Sequence, residues 1–254
     1  MKLGVFSTVG TTLFFGLRHL PAFYLLCVLI YAPRYLYFSL TGRSLEEAFE
    51  SGAGWDNDLF GAVEILLMGM VTSVMVWTLV RDRQGESWTV FAALRDAAGR
   101  LPMVLGVACC IAVGITLLTV AMDVAGAVAP LAAVIPIVAM VVLALVFAVA
   151  MPCAAVDGEG IIECFTQSAQ LTSGSRWRIG AVYLLLVVPM IVLAVICFFI
   201  FGVDSQMDEP PAAFIFLGGP LFEVFMIAAP VVIYEQLAGL DGGVAFGETA
   251  AVFD

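Results

Sequence analysis

Three ionisable residues stand inside long apolar runs: Arg34, Glu64 and Glu223. A charge in hydrocarbon costs about 2.5–3.5 kcal/mol on insertion scales, so each calls for a partner or a role. Arg34 lies near the outer end of its run and Glu64 just inside the next, both about 8–9 Å below the outer boundary at 1.5 Å per residue. An ion pair between them is the natural expectation for a helical hairpin. Such a pair either fixes hairpin register, with Arg34 free to snorkel outward, or forms a polar site near the outer leaflet that binds a headgroup or passes a proton. Glu223 is expected about 16 Å into the last run, near the midplane. It follows Gly218-Gly219-Pro220, which can kink a helix, and no basic residue is expected at its depth. There it is either a protonated carboxyl bonded to a backbone carbonyl or part of a cavity for an ion, proton or polar ligand.

A second cluster, Ser173-Gly174-Ser175-Arg176-Trp177-Arg178, sets two guanidiniums around a tryptophan. That arrangement suits lipid phosphate and equally an ordinary interfacial anchor with an aromatic belt residue. Searches for catalytic chemistry return nothing: the chain has no G-x-S-x-G, no phosphate-cradling glycine loop with lysine and no HExxH. No metal site is expected, because His19 is the single histidine and Cys109-Cys110 are adjacent. Cys27, Cys153, Cys164 and Cys197 complete the cysteines, which read as small buried hydrophobes without disulfides. Asp157 and Glu159 are explained as a helix-starting turn. No cofactor is implied.

The elements that must position these residues follow from composition. Of 254 residues, 63% are hydrophobic and only 12% charged, with a mean hydropathy of +1.09. A soluble domain carries about a quarter charged residues, so this chain needs lipid as solvent. The net charge of −11 argues against nucleic acid. Six spans of about 20 residues are expected, at 20–40, 59–80, 101–122, 131–151, 177–201 and 212–234. The fourth contains Pro136 and is bounded by Pro130 and Pro152. Short amphipathic helices precede the hairpins. Residues 3–17 carry Leu3, Phe6, Leu13 and Leu17. Trp88 to Ala98, capped by Ser87, is expected to bury Val90, Phe91 and Leu94. A third, after Gly160, carries Ile161, Ile162 and Phe165. Arg18-His19 interrupts the first apolar stretch, so the N-terminus reads as retained rather than as a signal peptide.

Basic residues set the orientation. With the N-terminus inside, Lys2, Arg18, Arg81, Arg83, Arg95, Arg100, Arg176 and Arg178 are cytoplasmic and only Arg43 is outside. The fold expected is therefore all-α and polytopic: one membrane domain over 1–254, both termini cytoplasmic, three hairpins each preceded by an interfacial helix. An amphipathic segment, a basic boundary and a hairpin recur over 1–80, 87–151 and 160–235, as parallel pseudo-repeats. The boundaries read Arg18-His19-Leu20-Pro21, Arg100-Leu101-Pro102 and Arg176-Trp177-Arg178.

The segment from Pro152 to Gly180, with Ser168, Leu171, Thr172, Gly174, Arg176 and Trp177, resembles the signature of a bacterial membrane family. That family is related to the membrane domain of glycerophosphodiester phosphodiesterases. Arg176 and Trp177 are adjacent here, where the family spaces them by one. The tail from Ile233 is also similar, but it lacks basic residues at Ala238 to Leu240. The resemblance implies six membrane helices in a bacterial inner membrane. The phosphodiesterase barrel is a separate soluble domain with no room in this chain. The function expected is a non-enzymatic membrane component that binds lipid or a membrane protein partner. The alternatives are a small transporter or lipid-translocating protein using Glu223, and a membrane enzyme acting on lipid.

Overall fold

The computed structural model describes residues 3–41, 55–85, 89–157, 160–200 and 212–239, and every element among them is helical. The acidic stretch 42–54, Ser87, Trp88, Glu159, the 201–211 stretch and the tail from 240 lie outside the described residues, as do some side chains within helices, that of Arg34 among them. In chain order the helices are α1 Val5–Arg18, α2 Leu20–Thr41, α3 Trp55–Arg83, α4 Val90–Ala98, α5 Leu101–Val128, α6 Val134–Val146, α7 Ala150–Val156, α8 Ile161–Thr172, α9 Arg176–Ile200 and α10 Ala212–Leu237. A short 3₁₀ turn, Pro130–Ala133, leads into α6.

Four stretches among the described residues are long and apolar enough to cross a membrane: Leu59–Arg83, Leu101–Ala127, Leu131–Val156 and Gly218–Leu237. Val5–Arg18 and Leu20–Ile30, bent by 87°, make a fifth if the pair is one span. Helices also occupy the first and fifth expected spans, as α2 with 22 residues and α9 with 25. Pro33 in α2 and Pro189 in α9 are accommodated within continuous helix.

The fourth expected span is not one helix. It breaks after Val146, and Pro152 sits in the first turn of α7 rather than bounding the span. Proline at that position has no N–H for the carbonyl of Ala148, and its ring crowds that carbonyl, which favours a break in the ladder here. The carbonyl freed at Val146 is taken by two hydroxyls from α8, Ser168 Oγ at 3.0 Å and Thr172 Oγ1 at 3.1 Å. Backbone freed at membrane depth is tolerated only when it is re-satisfied in this way.

Packing concentrates towards one end of the bundle. Phe23 and Cys27 of α2, Met75 and Leu79 of α3, Val104 and Val107 of α5, the whole of α7 from Ala150 to Ala155, Ile179 and Val182 of α9, and Val224 to Tyr234 of α10 share one core. Along α5 the buried positions stop at Ala112, and beyond it Val113, Leu117, Val120 and Val124 are exposed. The same holds for Ile135, Val138 and Val142 of α6. Apolar exposure on this scale is expected of helices that face acyl chains.

The short helices correct two expectations. Thr89 caps α4, accepting from the Ala92 N–H. Its inward residues are Ala93 and Ala97, packed on Val74 of α3, whereas Phe91 and Leu94 point outward. The α1 helix behaves alike. Thr8, Thr12, Phe15 and Gly16 are buried, as is Leu3 just before the helix, and Phe6, Leu13, Phe14 and Leu17 are exposed. A Cβ on Gly16 would lie 2.8 Å from the Phe225 ring, so the absence of a side chain there is what lets α1 close on α10. Gly16, Ala93 and Ala97 turn inward because close helix packing in lipid rests on van der Waals contact rather than on water exclusion.

Candidate functional site: the polar end of the bundle

Residues separated by most of the chain meet where the helices carrying the basic boundaries end. Arg83, last residue of α3, grips Glu235 of α10 with two bonds, Nε to Oε1 at 2.6 Å and Nη2 to Oε2 at 3.1 Å. The Glu235 side chain is 1% exposed and that of Arg83 42%. Fork-on-fork geometry makes this the strongest kind of side-chain contact. One residue away, Tyr234 donates its hydroxyl to Asp157 Oδ2 at 2.8 Å, and Gln167 of α8 donates to the same oxygen at 2.8 Å. Arg100 reaches the Asp157 carbonyl at 3.4 Å. The ends of α3 at Arg83 and α7 at Asp157 are thus joined through Tyr234 and Glu235 of α10.

Further contacts fasten the short helices to this hub. Arg18 pairs with Asp82 at 2.8 Å, and His19 Nε2 lies 3.9 Å from the same carboxylate. Arg81 holds Asp96 of α4 through Nε at 2.9 Å and Nη2 at 2.5 Å. Thr8 donates to Gln236 Oε1 at 2.6 Å. His19 is buried between Phe15 and Phe23, with ring centroids 5.2 and 5.6 Å away. Its pKa lies below the usual imidazole value because burial disfavours the cation by more than Asp82 favours it, and Arg18 adds a lesser lowering. Cys164, on α8, is pushed up by burial. Both thiols beside this hub, Cys153 and Cys164, are buried and free, as is Cys27. Cys109 and Cys110 depart from the expected burial and are exposed on α5.

Of the residues singled out in the sequence, Arg176 and Trp177 are exposed, Trp177 at 90%. Arg178 differs, turning partly inward to donate to the Leu3 carbonyl at 2.8 Å. Gly174 takes a positive φ of 81°, which lets the chain reverse from α8 into α9. Glu64 is partly buried with Oε1 shielded from solvent, and Glu223 is partly buried within electrostatic range of Cys27. The helix α2 packs against both α3 and α10.

Glu235, Asp157, Tyr234 and Gln167 were not among the sequence candidates. For Asp157, Tyr234 and Glu235 the sequence signal is a polar group closing an apolar run; Gln167, in the middle of α8, carries none. Comparison with protein-family models, curated proteins and solved structures finds no match to this chain.

Proposed function

We propose that the chain is a six-span inner-membrane protein with both termini in the cytoplasm, a non-enzymatic component that binds lipid or a membrane protein partner. The observation that carries this reading is the division of labour at the polar end. Its carboxylates tie helices together, while the guanidiniums of Arg18, Arg83 and Arg95 and the apolar faces of α1 and α4 turn outward. A hub so committed to internal bonds holds a platform in shape and presents its outer surface for recognition. The third expected repeat unit keeps the same order of short helix followed by two long helices, which supports parallel hairpins around an axis near the membrane normal. The bacterial family suggested by Ser168, Leu171, Thr172 and Trp177 belongs to this proposal. So does the Arg34–Glu64 pair.

Native mass spectrometry of protein extracted gently from its own membrane tests the reading. A co-purifying subunit at fixed stoichiometry, or retained phospholipid, is the expected result. A small polar molecule lost on Glu223→Gln or Arg34→Ala would instead support the carriage reading, since Glu64 and Glu223 are partly shielded at depth.

A further inference from the structure

The first two short helices carry the same five-residue pattern, Phe14-Phe15-Gly16-Leu17-Arg18 and Phe91-Ala92-Ala93-Leu94-Arg95. Their burial repeats with it. The third position is buried in both, Gly16 against Phe225 of α10 and Ala93 against α3. The first, fourth and fifth positions are exposed in both. Residues at i, i+3 and i+4 share one face of a helix, so each copy presents a phenylalanine, a leucine and a guanidinium together. Phe91 is 84% exposed, and the side chains of Arg95 and Arg18 are 82% and 52% exposed. The acidic partners, Asp96 and Asp82, are the more buried members of their pairs. Each pair therefore shows its positive end outward, in a chain whose net charge is −11.

We infer that these two faces are equivalent contacts for anionic phospholipid, an inference that rests on reading the protein as a lipid-binding membrane component. The aromatic and leucine side chains enter the acyl boundary, and the guanidinium meets a headgroup phosphate one turn away. Three observations fix lipid as the occupant. Both faces lie at the end of the bundle where helices of membrane-spanning length stop. The α1 helix turns 87° from the start of α2, as a helix lying in the membrane plane does when the next one crosses it. Apolar and cationic groups alternate within a single turn, which matches the boundary between acyl chains and phosphate. The third unit reaches a similar composition by another route, with exposed Arg176 and Trp177 opening α9.

The test places a tryptophan on the face. The full chain, with its four native tryptophans replaced by phenylalanine and Phe91→Trp introduced, is reconstituted in phosphatidylcholine bilayers. Quenching by brominated phosphatidylcholine and by brominated phosphatidylglycerol is then compared. The expected result is quenching by both, with phosphatidylglycerol favoured by about fivefold at low salt. That preference is lost on Arg95→Gln and screened in 1 M salt. Arg95 lies 3.9 Å from Asp96 and is mostly exposed, so this substitution leaves the fold in place. Phe14→Trp read with Arg18→Gln repeats the measurement at the first copy. Equal quenching by the two lipids, unchanged by Arg95→Gln, overturns the anionic contact while leaving the face in lipid. Absence of quenching by either lipid overturns the lipid-binding reading of this end as well.

Discussion

Replacing Arg83 by alanine removes both charge-assisted bonds to a Glu235 carboxylate that is 1% exposed. Breaking a buried pair by deleting one partner costs about 3–5 kcal/mol. Arg83 is itself 42% exposed, so water can follow the deleted side chain, and a loss of about 2–4 kcal/mol is expected. The cost should come from a buried carboxylate losing these two bonds rather than from the missing attraction. Methionine at both positions should accordingly recover most of the loss, since replacing a buried pair by apolar side chains is close to neutral. Equilibrium unfolding in mixed micelles of the wild type, both single variants and the double variant completes the cycle. A loss below about 0.5 kcal/mol for Arg83→Ala, or a double methionine variant no better than the singles, would refute the reasoning.

Other consequences follow from the same geometry. Ser168→Ala with Thr172→Ala strips both hydroxyl donors from the Val146 carbonyl; the pair should cost about 1–3 kcal/mol in unfolding experiments, and either single change less, because one donor remains. Gly16→Val puts a Cβ within 2.8 Å of the Phe225 ring and should destabilise by about 1–3 kcal/mol, seen as increased protease cleavage near the α1–α2 bend. His19 has a lowered pKa in the fold, so the unfolded chain binds more protons as pH falls below about 6.5. Stability should be full above that value and decline as pH drops through the lowered pKa, and His19→Asn should flatten that part of a thermal-unfolding pH series.

Helix placement was legible in the sequence because apolar runs of membrane length leave few other solutions. Helices stand at the expected spans, and residues 18–19, 81–83, 100, 157 and 234–235 gather at one end, as the positions of the basic residues implied. The facing of the short helices was not legible. Phe91 and Leu94 look like core by the rule for soluble helices, but in lipid the small residues Ala93, Ala97 and Gly16 take the inward side. The roles of Ser168 and Thr172 depend on the break after Val146 and on a long-range pairing that periodicity does not record. The Arg83–Glu235 pair joins positions far apart in sequence, and periodicity carries no record of such long-range contacts.

Reporter fusions along the chain test the central claim that three hairpins gather their basic ends on the cytoplasmic face. Alkaline phosphatase, which needs disulfides and folds only outside the cytoplasm, would be fused after residues 50, 85, 126, 158, 206 and 254. The account predicts activity at 50, 126 and 206 and none at 85, 158 and 254. Activity at 85 or 254 would contradict it.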